Sequence, residues 1–112
     1  MKRIDAIIRP ERLEAVKEAL AAAGCTGITV SEVKGHGVQR GVTQQWRGRE
    51  YNVDLLPKVS IMLVVNDHEA IDMVESIASV ARTDRMGDGK IFVTAVEQVY
   101  RIRTGETGTE AL

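Results

Sequence analysis

The chain has 112 residues, with 15 Lys and Arg against 16 Asp and Glu, a formal net charge of −1. This length favours one domain with one modest core, since a chain of this size buries about two-thirds of its unfolded surface. A hydrophobic content of 44% with a near-zero net charge argues against disorder, and the charge balance argues against a dedicated nucleic-acid binder. A single cysteine, Cys25, rules out an internal disulfide framework and a multi-cysteine zinc site. Charge returns at Arg9, so there is no signal-peptide apolar region, and no apolar run approaches the roughly 20 residues that span a bilayer. The expectation is a soluble cytoplasmic domain.

Lys2–Arg9 reads as a strand with Ile4, Ala6 and Ile8 on one face. Pro10 suits the first turn of a helix, because its missing N–H has no partner there anyway. Glu11–Ala23 carries Leu13, Val16 and Leu20 at helical spacing, and Gly24 is placed to end the helix. Thr26–Lys34 is β-branched and predicts a second strand. From Gly35 to about Leu55 the pattern has neither period 2 nor period 3.6, which predicts a long loop, and a loop this long is usually functional or disordered. Pro57–Val65 predicts a strand with Val59, Ile61, Leu63 and Val65 on one face and Met62 and Val64 on the other. Such a two-faced strand is central, or packs on another subunit. Asp67 is placed to cap a helix from about His68 to Ala81, whose expected buried stripe is Ile71, Val74, Ala78 and Ala81. Arg82–Gly89 reads as a loop and Lys90–Val99 as a last strand.

The order βαβ, long loop, βαβ is the α+β, ferredoxin-like arrangement of four strands and two crossover helices. Right-handed crossovers place both helices on one face of the sheet. The other face stays uncovered and is expected to be buried by homo-oligomer formation.

Four segments could carry chemistry. Gly87-Asp88-Gly89-Lys90 lies between a helix and a strand. Its glycines allow close approach of the backbone, its amides can form an anion-binding concavity, and Lys90 adds a positive charge. It is not a Walker A loop, since Asp84 stands at the first glycine position and Ile91 at the Ser/Thr position. A tight turn with a solvated lysine is the plainer alternative. Arg101 and Arg103, at the expected end of the last strand, fall on one side by period 2 and could together hold phosphate oxygens, or form a solvated edge. Gly35-His36-Gly37 begins like a glycine-rich phosphate loop but has Arg40 where the last glycine belongs, so the motif alone favours a hinge for the long loop. Trp46, Arg47 and Tyr51 are residue types enriched at binding hot spots and suggest a partner-insertion element, or an aromatic pair folded back. Cys25 reads as a small buried hydrophobe. Phosphate-type elements without a catalytic base point to sensing rather than turnover.

These residues resemble a known family over essentially the whole chain. AIIRPERLEAVKEAL, GITVSEVKGHG, WRGREYNVDLLPKV, ARTDRMGDGKIFV and YRIRTGETGTEAL are similar to the PII nitrogen-regulatory signal-transduction proteins, in particular the branch paired with ammonium transporters. The resemblance implies a homotrimer, not an enzyme, that binds ATP or ADP between subunits and 2-oxoglutarate together with MgATP. It implies a T-loop over residues 37–55, a B-loop over 82–90 and a C-terminal loop over 100–112. Gly87, Asp88, Gly89 and Lys90 would lie over the phosphates, and Arg101, Ile102 and Arg103 would come from the adjacent subunit. Thr29, Gly35, Gly37, Val38 and Val64 would line the base and ribose. Gln39 would ligate Mg²⁺ and touch 2-oxoglutarate beside Arg40 and Gly41, and Lys58 would pair with a 2-oxoglutarate carboxylate. Arg47 would plug the ammonium channel, bringing the protein to the inner face of the membrane, and Tyr51 matches a tyrosine uridylylated in some bacterial members. Val38, Arg40 and Met62 depart from the frequent Arg, Lys and Glu. The implied function is control of nitrogen assimilation by docking on an ammonium transporter. Regulation of glutamine synthetase or its modifying enzymes is the alternative, and a small-molecule enzyme on the same fold is a further one.

Overall fold

A computed structural model describes residues 1–36 and 55–112, together with the backbone of two strands between them. The elements are β1 (Lys2–Ile8), α1 (Leu13–Ala22), β2 (Thr29–Gly35), β3 (Val42–Trp46), β4 (Arg49–Val53), β5 (Leu56–Val65), α2 (Ala70–Ala81) and β6 (Lys90–Ala95). Short 3₁₀ turns at Pro10–Arg12 and Asp67–Glu69 lead into the helices, and another at Gly108–Ala111 ends the chain.

Four strands form one antiparallel sheet in the order β2-β5-β1-β6. This is the expected ferredoxin-like α+β fold. The register pairs Ile4 with Leu63, Ala6 with Ile61 and Ile8 with Val59, so the alternating apolar residues of β1 and β5 share a face. That face forms one buried cluster with Val16 and Leu20 of α1 and Met73 and Ile77 of α2. Both helices therefore cover the same side. The opposite side carries Ile7, Met62, Val64 and Phe92 around an Arg3–Asp5 ion pair of 2.9 Å, and Phe92 stays exposed.

Helix α1 ends as predicted. Gly24 has φ +91, its amide donates to the Ala21 carbonyl, and the Cys25 amide donates to the Leu20 carbonyl at 2.9 Å. These two bonds satisfy carbonyls that the last turn would otherwise leave unpaired. Cys25 is half-buried against the core.

Four expectations change. First, the segment after β2 holds a β3–β4 ribbon, with Val42 opposite Val53 and Trp46 opposite Arg49. Among the described residues it forms a two-stranded sheet separate from the central one, so the pairing of the central sheet does not set its pattern. Second, β6 stops at Ala95, not Val99. Among the described residues its one strand neighbour is β1, which begins at Lys2 opposite Ala95, so the ladder runs out of partner. Third, the stripe of α2 is Ala70, Met73, Ile77 and Ala81, while Ile71 is 71% exposed. Apolar residues on adjacent columns made both phases plausible, and contact with β1 and α1 selects one. Fourth, Asp67 makes no cap bond. It meets the Met1 amino group at 2.8 Å, while the Asn66 amide group donates to Glu69 at 2.9 Å.

The corrected stripe predicts a contrast that urea unfolding will read. Ile77→Ala costs about 2–5 kcal/mol, as for other large-to-small core changes. Ile71→Ala stays within about 0.5 kcal/mol, because its side chain is already in water. Equal losses at the two positions would contradict this packing.

Candidate functional site

The loop of residues 82–90 joins α2 to β6 and returns the chain to the end of β1. Its shape follows from one carboxylate. Asp88 accepts from the Thr83 hydroxyl, from the Thr83 amide at 2.7 Å and from the Asp84 amide at 3.0 Å. The Thr83 hydroxyl in turn accepts from the Arg85 amide at 3.3 Å. Asp84 takes up φ +63, a left-handed conformation tolerated best by short polar residues. The turn is thus tied by a side chain that the sequence places four to five residues beyond the groups it holds.

Two cations reach this loop from the sheet. Arg9, 7% exposed at the end of β1, donates from Nε to Asp88 at 3.0 Å and from Nη2 to the Met86 carbonyl at 2.5 Å. Lys58, 9% exposed on β5, donates to the Gly87 carbonyl at 2.6 Å. The Asp88 carboxyl is held well below the usual carboxylate range, first by the Thr83 hydroxyl and amide and then by Arg9 and the Asp84 amide. The Lys58 ammonium is pushed down, first by burial and then by the nearby Arg9 charge, with Glu11 and Asp88 opposing.

The glycines hold the turn close to the sheet. Gly87 and Gly89 have φ +94 and +102, while Asp88 between them does not. Such alternating handedness aims successive N–H groups at a common point. A Cβ at Gly89 would lie 1.7 Å from the Ile7 carbonyl oxygen, so no other residue fits there without moving β1.

Beside the loop is an open cleft of about 230 Å³, lined by Arg9, Pro10, Glu11, Leu56, Pro57 and Lys58. Two nearly buried cations suit a small anion here, with Glu11 on the rim limiting how much negative charge enters. Gly35 lies against this group, because a Cβ on it would be 3.3 Å from Lys58 Cγ. The stem of Lys58 therefore connects the root of the 37–55 segment to the loop of 82–90. No group of three or more His, Cys, Asp or Glu suited to a metal ion occurs among the described residues.

The other expected site residues are spread over the chain. Thr29 pairs with Met62 and Val64 with Arg3, on the sheet face that the helices leave open. Lys90 starts β6 opposite Ile7 and is exposed. Arg101, Ile102 and Arg103 are not on a strand, so period 2 does not place the two arginines. After β6 the chain folds into a hairpin joined by a Tyr100–Thr107 bridge, with Gly105 at φ +73. Arg101 is engaged inside it, 3.4 Å from Glu106 and 2.9 Å from the Leu112 carbonyl, whereas Ile102 and Arg103 are exposed. Among the described residues, no hydrogen bond or ion pair joins Arg101 to the 82–90 loop. Gly37, Val38, Gln39, Arg40, Gly41 and Arg47 lie outside the described residues. Tyr51 is described only by its backbone, opposite Gln44.

Arg9 was not among the expected site residues. Its signal in the sequence was a charged residue closing an apolar strand immediately before a proline, which also fits a solvated strand end.

No helix among the described residues is long and apolar enough to cross a membrane. Comparison with protein-family models matches residues 1–106 to the nitrogen regulatory protein P-II family. The chain is 57% identical over 112 residues to nitrogen regulatory protein P-II 2 of Methanothermobacter thermautotrophicus, covering 100% of this chain and 97% of that protein. It is 56% identical to nitrogen regulatory protein P-II of Cereibacter sphaeroides and 53% identical to that of Nostoc punctiforme, in both cases over the full length of the two chains. These relatives are named as regulators, and the family is one of signalling proteins rather than enzymes. With the ferredoxin-like sheet, the tied loop after α2 and similarity along its whole length, this chain belongs to the nitrogen regulatory protein P-II family.

Proposed function

We propose that this protein is a homotrimeric sensor of adenine nucleotides and 2-oxoglutarate, of the branch that regulates an ammonium transporter. ATP or ADP binds with its phosphates over Gly87–Lys90, and Arg101 and Arg103 of a neighbouring subunit complete the site. 2-Oxoglutarate joins MgATP near Lys58, and the segment from 37 to 55 changes state and docks through Arg47. Tyr51 is a candidate for modification.

The observation that carries this reading is the pairing of an anion-shaped turn with two nearly buried cations. Gly87 and Gly89 give the turn alternating handedness, and Lys58 and Arg9 stand behind it beside a cleft. Mg²⁺ fits a site formed mainly by ligand oxygens, since it keeps waters and phosphates and needs only one or two protein groups. Gln39 is the candidate protein ligand. A trimer is supported by the uncovered sheet face, where Ile7, Met62, Val64 and Phe92 form an apolar surface suited to burial against other copies. Lys58 offers a route for coupling, since it lies against Gly35 and bonds the phosphate-type loop at once. A ligand that engages Lys58 thereby acts on both segments, and it shifts the long loop only by binding one of its states better.

Calorimetry tests the coupling. 2-Oxoglutarate is expected to bind roughly tenfold or more tightly with MgATP than without, within the usual range of allosteric coupling. Equal affinity in both conditions would refute it. Docking is tested separately with Arg47→Glu. The variant is expected to lose co-sedimentation with vesicles carrying the ammonium transporter while ATP affinity stays within about twofold of the parent, as expected for uncoupled sites. Loss of both functions would show that the two sites are not separable.

A further inference from the structure

We infer that Arg9 is a positioning residue for the nucleotide loop, which it sets by holding the Met86 peptide in the orientation that turns the Gly87 amide toward a bound phosphate. The inference deepens the proposed nucleotide site and rests on that reading.

In a trans peptide the C=O and the following N–H point in opposite directions. Among the described residues no peptide bond is cis. The Met86 carbonyl is drawn inward by Arg9 Nη2 at 2.5 Å, so the Gly87 N–H points away from Arg9. Lys58 does the same one residue later, drawing in the Gly87 carbonyl at 2.6 Å and turning out the Asp88 N–H. Two buried cations thus orient two successive amides without touching the anion those amides would bind. The outward pair has the arrangement of an anion-binding concavity.

Arg9 does a second thing. Its Nε donates to Asp88 Oδ1 at 3.0 Å, so one planar guanidinium spans a backbone carbonyl and the carboxylate that ties the loop. The guanidinium fork gives both bonds a common geometry, which a lysine ammonium at the same place does not reproduce. Asp88 is thereby kept turned into the loop, with its negative charge met by Arg9, the Thr83 hydroxyl and two amides. A carboxylate released from that arrangement would sit in the loop expected to carry phosphate and would repel it.

Arg9 is 7% exposed and holds a fixed place between the two acceptors, so removing it leaves the Asp88 carboxylate and the Met86 carbonyl without a shared, pre-oriented donor. The test uses the full-length protein, Arg9→Gln and Arg9→Lys. ATP affinity measured by calorimetry is expected to fall roughly ten- to a hundredfold in Arg9→Gln, the size associated with losing a hydrogen bond to a charged group. Arg9→Lys keeps the charge and is expected to recover less than half of that loss on a logarithmic scale. Amide hydrogen exchange without nucleotide supplies the readout that a merely structural role would not give. In both variants residues 83–89 are expected to exchange faster while β1 and β5 keep the protection of the parent. Parental ATP affinity in Arg9→Gln would overturn the inference. So would full recovery in Arg9→Lys, or a loss of protection spread evenly over the chain. Failure of the unaltered protein to bind ATP would instead overturn the nucleotide reading, and the exchange data would still decide whether Arg9 orders the loop.

Discussion

The Asp88 carboxylate is the interaction on which the candidate site depends. It gathers the Thr83 hydroxyl, the amides of Thr83 and Asp84 and the Arg9 guanidinium. Hydrogen bonds to an ionised acceptor are about twice as strong as neutral ones, so four donors on one carboxylate tie a short loop firmly. The glycines follow from that closure. Gly87 and Gly89 supply the positive φ values that the turn needs, and Gly89 lets it lie against the Ile7 carbonyl, where a side chain has no room. Charge that appears in the sequence as part of a phosphate-type motif is here turned inward and neutralised, and backbone dipoles are left to face outward.

The sheet explains why the cations that serve this loop can be nearly buried. β1 and β5 are its two central strands, and their odd and even positions face opposite sides. Ile4, Ala6, Ile8, Ile61 and Leu63 form the helix-covered core, so Arg9 and Lys58 fall on the other face. Both lie at the end where the 82–90 loop returns, and the loop covers them. Burial disfavours charge on Lys58, and contact with the Gly87 carbonyl offsets part of that cost. A cation held in this way has a competing partner available when an anion enters the cleft. That property suits a group whose contacts are to be exchanged.

Much of the core was legible from periodicity. The alternation in β1 and β5 and the spacing of Val16 and Leu20 gave the buried residues directly, and Gly24 marked the end of α1. What escaped has identifiable causes. Among the described residues the β3–β4 ribbon forms a sheet separate from the central one, so the alternation of the central strands does not extend into it. The phase of α2 was ambiguous because Ala70, Ile71, Met73, Val74, Ile77 and Ala78 put apolar groups on neighbouring columns. The end of β6 and the turn holding Arg101 and Arg103 depended on where β1 begins, which no property of residues 96–103 encodes. Arg9 was missed because its partners are 77 and 79 residues away.

By itself the sequence determined the element order, the apolar side of the central strands, and the Gly-Asp-Gly-Lys turn as a candidate anion site. Those properties are local, set by side-chain period and by the conformations that glycine and proline allow. Only the tertiary structure decided that Asp88 faces inward, that Arg9 and Lys58 hold successive carbonyls of the turn, and that Arg101 rests within its own hairpin. These are contacts between segments far apart in the chain, and their geometry follows from strand register and chain return rather than from any neighbouring residue.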